Sequence, residues 1–488
     1  MENKQPQAVI LSMTRDGEKL CAAGGRISTQ PGDAIEIWNH SQDAEKNSRL
    51  IQKVTRSGHN SVVEHACFHL AFQNVSVMVE QFMIEFRLAS FTVKSRRYVD
   101  FSSAGYYMPE GLDEALTQTY ATHMEALFAD YQYLIEHDVP KEDARFVLPY
   151  CFCSNFYCTL NGRELLHVLH AMLFGRGSRF PELVLLGRQL LEQARAMAPG
   201  IFAAFEAEQA PAADTLDLSD LPGLPEGARV LPHGYQFAEL LASTPDAAEC
   251  VARTALIEST QLPSDEVNKV LSDAKIRAEI LRRVIAGSRP RALENISFTF
   301  RLNGVSLPCI THIVRHRMQS VMIPPLAQAD RTHKIIPPSI RKQTECLARY
   351  EAAFHRNAAL YQRLRGEGVA EETLVYFLLS GNTLDVVTTM NARELLLFLR
   401  LRTCSRAQWE IHIYADEMLR LLREKEPELF RFFGPSCFVT GKCPEGRLSC
   451  GNMQEVCARY QLEGEKKGRL KTPDPAHTTS FFGNRTVI

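Results

Sequence analysis

The chain has 488 residues, 45% of them hydrophobic, which is enough for two or more domains that each bury a core. Its 55 Lys and Arg residues nearly balance 57 Asp and Glu residues. The resulting net charge of -2 predicts no general attraction to nucleic acid or to a membrane surface, so any anion site must be local.

The first residues lack the apolar stretch of a signal peptide, and no window approaches the ~18 apolar residues of a membrane span. The 13 cysteines are odd in number and scattered along the chain, which favours reduced thiols over a disulfide framework. We therefore expect a cytoplasmic protein with no membrane or nucleic-acid partner.

The sequence contains an internal repeat. One spacing of 230 residues separates the members of four pairs of identical residues, namely Glu64 and Glu294, Arg87 and Arg317, Ser90 and Ser320, and Asn161 and Asn391. The acidic, Pro- and Ala-rich stretch between the halves is typical of a linker. We predict a first domain at residues 1–206, a linker at 207–229, a second domain at 230–435 and a Cys-containing extension at 436–488.

The second half shows the local pattern most clearly. Alternating apolar residues from Ile296 to Leu302 predict a half-buried strand, and Asn303-Gly304 predicts a turn after it. Ser306 is placed as a helix N-cap, with Pro308 in the first turn. Arg315, His316 and Arg317 should then lie at the end of this helix.

A second apolar-periodic run extends from Asn391 to about Lys425 and predicts one long, substantially buried helix. Asn391 and Asn161 each begin such a run, and each is as well explained as an N-cap as it is as a ligand-binding residue. The fold class predicted is α+β, with two tandem copies of a domain in which long helices pack on an antiparallel sheet.

The arginines admit two interpretations. Cations at a helix C-terminus complement the helix dipole, which explains Arg315 and Arg317 without any ligand. However, Arg402 interrupts an apolar face, and burying a cation costs several kcal/mol unless an anion meets it. A phosphate group, which guanidinium binds in bidentate fashion, would suit two such helix segments.

The string RHRMQS, with NARELLLFLRLRT after it, resembles the flavin-dependent thymidylate synthases. The first half carries the rest of that family's signature as GHNSVVEH, RLASFTVKSRRY and ARFVLP. The motifs span most of both halves in the family's order. This resemblance is far more specific than an isolated RHR.

The two halves depart from the family in complementary ways. The first keeps Ser95, Arg97, Tyr98 and Arg145, but has Glu85-Phe86-Arg87 in place of RHR and Met172 in place of the long-helix arginine. The second keeps RHR and Arg402, whereas four of its residues replace the other set: Pro325, Ala327, Gln328 and Val375. The resemblance implies a composite site between the two repeats, and a homodimer that rebuilds the family's four-domain assembly as a pseudo-tetramer.

The resemblance implies methylation of dUMP to dTMP, with methylenetetrahydrofolate and NADPH as co-substrates and FAD as cofactor. It assigns the catalytic role to Arg402, Arg315 and His316, and dUMP binding to Ser95, Arg97, Arg145, His312 and Arg402. It assigns FAD binding to eight residues: His59, Ser61, Glu64, Glu294, Arg315, His316, Arg317 and Asn391.

Other functions stay open at this point. The chain is alternatively a non-catalytic or regulatory nucleotide- or flavin-binding paralogue, or it methylates another pyrimidine nucleotide. His312, which stands where the family usually has glutamine, leaves room for a changed substrate. Glu64 and Glu294 are also explained as simple partners of neighbouring basic residues.

Four cysteines lie close together near the C-terminus, at Cys437, Cys443, Cys450 and Cys457. Their gaps of five and six residues are longer than those of common zinc knuckles. We therefore assign no metal and keep these residues only as weak zinc candidates. The charged segment after Glu463 has the composition of a tail without a packed core.

Overall fold

The computed structural model describes residues 5–203, Phe205, Pro222 and 237–461. Apart from Pro222, the predicted linker at 207–229 lies outside the described residues, as does the tail after Glu463. The chain forms two compact units. Unit 1 comprises Met1–Gly227 with Ser339–Ser380, and unit 2 comprises Ala228–Pro338 with Gly381–Ile488.

In unit 1 the helices and strands from the first repeat are β1 (Gln7–Met13), α1 (Gly17–Ile27), α2 (Ala34–His40), α3 (Ala44–Arg56), β2 (Cys67–Ser76), α4 (Val77–Ile84), β3 (Ser90–Val93), α5 (Glu114–Glu136), α6 (Lys141–Ala144), β4 (Cys153–Asn161), α7 (Gly162–Leu173), α8 (Pro181–Met197) and α9 (Pro199–Phe202). Single 3-10 turns occur at Asn60–His65 and Arg145–Val147.

In the second repeat the elements are β5 (Ala238–Ser243), α10 (Ala247–Thr260), α11 (Ser264–Leu271), α12 (Ala274–Ala286), β6 (Ser297–Ser306), α13 (Leu307–Ile313), β7 (Gln319–Met322), β8 (Asp330–Lys334), α14 (Pro338–Arg341), α15 (Thr344–Gly366), α16 (Glu371–Leu374), β9 (Asn382–Asn391), α17 (Ala392–Arg402), α18 (Trp409–Lys425), α19 (Pro427–Phe430), α20 (Ser436–Thr440) and α21 (Met453–Tyr460). Further 3-10 turns occur at Arg291–Asn295, Leu326–Gln328, Val375–Phe377 and Gly446–Leu448.

Among the described residues, each unit contains one antiparallel sheet. The strand order is β1-β2-β4-β3 in unit 1 and β5-β6-β9-β7 in unit 2, where β8 also pairs with β9. Helices that follow the strands bury apolar side chains against these sheets, with α8 packed on β1 and α18 on β5. The α+β prediction of two tandem antiparallel-sheet domains is confirmed.

The repeat is visible in the backbone as well as in the sequence. β2 carries a bulge between Phe72 and Val75, and β6 carries one between Leu302 and Val305, 230 residues later. Asn74 and Gly304 occupy equivalent left-handed positions within these bulges, at φ 54 and 63. The two copies therefore share their irregular features, which strand pairing alone would not require.

The predicted turn at Asn303-Gly304 is wrong, because β6 continues through it to Ser306. Gly304 takes a positive φ inside a bulge, and its N–H donates to Asp385 Oδ1 at 2.8 Å. A bulge and a tight turn both favour a residue that tolerates positive φ, so Asn-Gly did not distinguish them. The N-cap at Ser306 is confirmed, since its hydroxyl accepts from Cys309 N.

The prediction of a single long helix from Asn391 to Lys425 is also wrong, because α17 ends at Arg402 and a separate helix, α18, begins at Trp409. Thr403 Oγ1 donates back to the carbonyl of Leu399, and Gln408 caps α18 by accepting from Glu410 N and Ile411 N. Side-chain hydrogen bonds of this kind compete with helix continuation, and the apolar periodicity alone does not reveal them.

Unit 1 is completed by a segment of the second repeat. The carboxylate of Asp130 on α5 is buried and pairs with Arg349 and Arg356 of α15, the Arg349 Nε distance being 2.5 Å. Asn357 Nδ2 donates to the Phe377 carbonyl at 2.7 Å, and His123 Nε2 lies 3.0 Å from Asn357 Oδ1. The helix α15 thus belongs to the core of this unit.

A buried carboxylate supports the start of α4 in unit 1. Glu182 Oε1 accepts from Ser76 N at 2.7 Å, and its Oε2 accepts from Ser76 Oγ and from the Tyr376 hydroxyl at 2.9 Å. Unit 2 repeats this contact, as Glu410 accepts from Ser306 N at 2.8 Å. Burial raises the pKa of Glu182 from 4.5 to about 7, although the bonds from Ser76 oppose the shift.

No helix in the part of the chain that the structure describes is long and apolar enough to cross a membrane.

The raised pKa of Glu182 predicts a pH-dependent stability. Between about pH 4.5 and 7 the folded state retains a proton that the unfolded chain has released, so the free energy of unfolding falls as pH rises through this window. The loss is on the order of 3 kcal/mol. We expect Glu182→Gln to flatten this slope in urea denaturation measured at a series of pH values.

The matched control is Glu192→Gln, at an exposed position on the same helix. It should keep the wild-type slope. An unchanged slope in Glu182→Gln would mean that another group governs this pH window.

Candidate functional site

The loop after β3 in unit 1 presents alternate side chains to two environments. Arg96 is buried, with 6% of its surface exposed, and its Nη2 lies 2.5 Å from Glu80 Oε1. Its neighbour Arg97 is partly exposed, and its Nε lies 3.0 Å from Glu142 Oε2. Ser95 accepts from Arg97 N at 3.3 Å, which closes the loop on itself. The loop is thus anchored on its buried side by Arg96, and it presents the polar side chain of Arg97 on its exposed side.

Arg145 is the third arginine of this region and is 96% buried. Its Nε donates to the Glu142 carbonyl at 2.9 Å, while its Nη2 is buried without a hydrogen-bond partner among the described residues. Burial, followed by the nearby Arg96 guanidinium, lowers the pKa of Arg145 to about 10, so it remains a cation at neutral pH. A buried cation with an unsatisfied donor is costly, and an anion would relieve that cost.

In unit 2 the centre of the RHR stretch is a hydrogen-bonded chain. His316 is buried, and its Nδ1 lies 3.0 Å from Glu394 Oε1. On its other side, Arg402 Nε donates to His316 Nε2 at 3.0 Å, and Arg402 Nη2 donates to the His312 carbonyl at 3.2 Å. The guanidinium of Arg402 is therefore held by two acceptors.

This arrangement fixes the protonation of His316. Because Arg402 can only donate, His316 Nε2 must offer its lone pair, which leaves the proton on Nδ1 for Glu394. Burial is the main effect that lowers the pKa of His316, the hydrogen bond to Glu394 opposes it, and Arg402 adds to the lowering. His316 is thus a neutral connector between a carboxylate and an arginine.

A cavity of about 620 Å³ lies in unit 2, beside the hydrogen-bonded side chains of Glu394, His316 and Arg402. Its lining includes Glu294, Asn391, Arg393 and Glu394, with Met318 and Leu397 as apolar walls. That volume lies in the range of small-molecule sites. Arg315 and Arg317 are exposed on the stretch that leads to Met318.

The remaining predicted flavin residues of the first repeat lie at the start of one 3-10 turn, Asn60–His65, or within it. His59 precedes the turn and Ser61 lies in it, and both are exposed. Glu64 pairs with Arg163 Nη1 at 2.7 Å, and Glu294 pairs with the equivalent Arg393 in unit 2. Asn161 and Asn391 are N-caps that accept from Glu164 N and Glu394 N.

The structure therefore brings the predicted residues together in groups. Ser95, Arg97 and Arg145 converge in unit 1, and His312, His316 and Arg402 converge in unit 2. Glu294 and Asn391 share the cavity. Sequence reasoning missed Glu80, Arg96, Glu142 and Glu394, although comparing the repeats at the 230-residue spacing would have drawn attention to Arg96 and Glu80.

The C-terminal cysteines form a loose group. The thiols of Cys437 and Cys457 hydrogen-bond, and burial is the main cause that raises the pKa of Cys437 to about 11. All four predicted candidates are free thiols. Within the described residues, no three Cys, His, Asp or Glu side chains are placed to hold a metal ion.

Comparison with known proteins gives a consistent result. The family model described as "Thymidylate synthase complementing protein" matches residues 9–200 and 239–428. A flavin-dependent thymidylate synthase of Geobacter sulfurreducens is 35% identical over 221 residues, covering 44% of this chain and 94% of that protein. One from Clostridium tetani is 34% identical over 240 residues, covering 46% and 96%.

A solved structure, the UMP/dUMP methylase PolB from Streptomyces cacaoi bound with 5-Br dUMP, matches with a TM-score of 0.36 and 21% identity, covering 42% of this chain and 97% of that chain. Each of the two synthases is thus matched over nearly its whole length by less than half of this chain. With its family model met twice along the sequence, the chain belongs to the flavin-dependent thymidylate synthase family and carries two tandem copies of the family's domain.

Proposed function

We propose that this protein methylates dUMP to dTMP at a site that requires residues from both repeats. Methylenetetrahydrofolate supplies the carbon, NADPH the reducing equivalents, and FAD is the bound cofactor. The observation that carries this proposal is the complementary retention of two residue sets. The first repeat keeps Ser95, Arg97 and Arg145, and the second keeps the RHR stretch and Arg402.

The unsatisfied donor of Arg145 supports a phosphate-binding role for the first set. In this region Arg96 and Arg97 each pair with a glutamate, whereas the Nη2 of Arg145 is buried without a hydrogen-bond partner among the described residues. A dUMP phosphate would accept from this Nη2 and from Arg97, which lies at the surface of the same cluster. Guanidinium groups suit such a dianion because they donate in pairs.

The second set supports orientation of the nucleotide. Arg402 is held by His316 Nε2 and the His312 carbonyl, so the plane of its guanidinium is fixed before a nucleotide binds. Because His316 is neutral, Arg402 keeps its full charge for the substrate. We assign Arg402 to the pyrimidine and its developing charge, and the first set to the phosphate.

The cavity of unit 2 fits an aromatic cofactor. It combines apolar walls at Met318 and Leu397 with polar groups at Asn391 and Arg400. When bound, FAD would carry the reducing equivalents received from NADPH and activate the one-carbon unit. The chain's own part is to bind the ring, with exposed Arg315 and Arg317 nearby to offset negative charge.

If both sets act on one nucleotide, single changes in either repeat must disable the enzyme. We expect Arg97→Ala to raise the KM for dUMP, and Arg402→Ala to lower kcat/KM by roughly 100-fold or more, as expected for lost charge-assisted contacts. Steady-state dTMP formation measures both. Exposed Arg188 and Arg282 provide control substitutions to alanine that should retain activity. Full activity in either site variant would contradict the two-repeat site.

Mixing the two inactive variants tests which chain supplies each set. If a site takes its sets from two chains of a homodimer, Arg97→Ala and Arg402→Ala chains refolded together recover part of the wild-type rate, because some sites receive two intact sets. If one chain supplies both, the mixture stays inactive. Size-exclusion chromatography with light scattering reports the dimer that we propose, in which two chains give four domains.

The cavity assignment predicts the site of flavin. Purified protein should carry flavin visible near 450 nm in its absorbance spectrum, at about one per chain if one set of residues binds it. Ser288→Trp places an indole in the cavity and should lower bound flavin severalfold. The same substitution at exposed Ser259 is the control.

If Ser288→Trp retained its flavin, the cofactor would bind outside this cavity. Stoichiometric flavin without dTMP would favour another pyrimidine nucleotide as substrate, which UMP in the same assay tests directly. Protein without flavin would leave a nucleotide-binding paralogue.

A further inference from the structure

A buried polar network lies directly beneath the Ser95–Tyr98 loop. Glu80 of α4 receives Arg96 Nη2 on Oε1 at 2.5 Å and Ser154 Oγ on Oε2 at 2.5 Å. The three side chains are 1 to 6% exposed. The network therefore joins a helix, a strand and the loop through one carboxylate.

The second repeat has uncharged side chains at the three positions equivalent to Glu80, Arg96 and Ser154. The residues 230 positions later are Ile310, Leu326 and Leu384, all apolar. Ile310 and Leu384 are buried in unit 2, on α13 and β9. This half has also lost Ser95, Arg97 and Arg145, which are Pro325, Ala327 and Val375 there.

Stability does not account for the network. Replacing a buried ion pair by well-packed apolar side chains is often neutral or stabilising, because the pair must repay the desolvation of both charges. The second repeat has apolar residues at all three positions, two of them buried and Leu326 half-buried. What distinguishes the first repeat is the polar loop that the network anchors.

Two physical effects link the network to that loop. Arg96 stands between Ser95 and Arg97, so tying it down through Glu80 sets the direction of both neighbours. Its guanidinium is also close enough to Arg145 to contribute to the lowering of the Arg145 pKa. Arg96 thus lies within electrostatic range of the place where an anion would bind.

We propose that Glu80, Arg96 and Ser154 are positioning residues for the nucleotide phosphate, retained for that geometry and not for stability. The inference rests on the proposed nucleotide-binding function. None of the three needs to touch the substrate, since they act through Ser95, Arg97 and Arg145.

The test gives the first repeat the apolar residues of the second. In the full-length protein, the triple variant Glu80→Ile/Arg96→Leu/Ser154→Leu should keep or raise the melting temperature and keep its flavin. Its KM for dUMP should rise roughly ten- to a hundredfold, with a smaller change in kcat, because misplaced binding groups lose affinity. Direct dUMP binding by calorimetry should weaken in parallel.

The control makes the same kind of exchange away from the loop. Arg301 and Asp385 pair in unit 2 at 2.7 Å, and the first repeat has Ala71 and Asn155 at these positions. Arg301→Ala/Asp385→Asn should leave dUMP affinity unchanged, which separates a local effect from the general cost of losing an ion pair.

A folded triple variant with wild-type dUMP affinity would overturn the inference. A triple variant that fails to fold would overturn the claim that stability is spared, and Arg96→Lys then decides the positioning role. That variant keeps the charge but loses the planar fork, so weaker dUMP binding at an unchanged melting temperature supports positioning and unchanged binding refutes it. Wild-type protein that does not bind dUMP would instead refute the proposed function.

Discussion

The free-energy cost of burying charge shapes both compact units. A guanidinium inside a protein must meet a carboxylate, a carbonyl or a ligand, or it destabilises the fold by several kcal/mol. In unit 1, Arg96 meets Glu80, and Arg145 meets only a backbone carbonyl on one side. In unit 2, Arg402 meets a neutral histidine and a carbonyl. Among the described residues, Arg145 Nη2 is a buried donor without a hydrogen-bond partner, so an anion there would offset the cost of burying this cation.

Divergence of the two repeats follows the same constraint. Where the second repeat has His316 and Arg402, the first has buried Phe86 and Met172, so the histidine and the arginine were exchanged for packing together. The neighbouring pair Gln319 and Thr388, joined by a 2.6 Å hydrogen bond, is matched by Ala89 and Cys158. Each of these two pairs changed together, whereas buried Glu164 keeps the position of Glu394 although Phe86 stands where its histidine partner would be.

Sequence reasoning reached the fold class, the repeat and the N-cap at Ser306 because each depends on local pattern or on residue identity. It missed the break between α17 and α18, since Thr403 and Gln408 end one helix and begin the next through side-chain bonds that periodicity does not register. Asn303-Gly304 predicts a turn where the structure has a bulge, because both features favour a residue that tolerates positive φ.

The candidate site was predicted only in part. Motif residues such as Arg97 and Arg402 carry a family signature, whereas Glu394 and Glu142 carry none. Their importance comes from burial and from distances of about 3 Å to His316 and Arg97. Residues close in space but remote in sequence, such as Asp130 and Arg349, are beyond the reach of motif reading.

Unit 1 is built from two separate segments of the chain, which constrains when it can fold during synthesis. This unit needs residues 339–380, which follow a long stretch assigned to unit 2. During synthesis the first sheet emerges well before α15, and until α15 arrives the carboxylate of Asp130 lacks both its arginines. Ribosome-bound intermediates that end before residue 380 therefore expose the α5 surface, which is a natural place for chaperone contact. For the same reason, a cut in the predicted linker separates the first repeat from residues 339–380, which complete its unit.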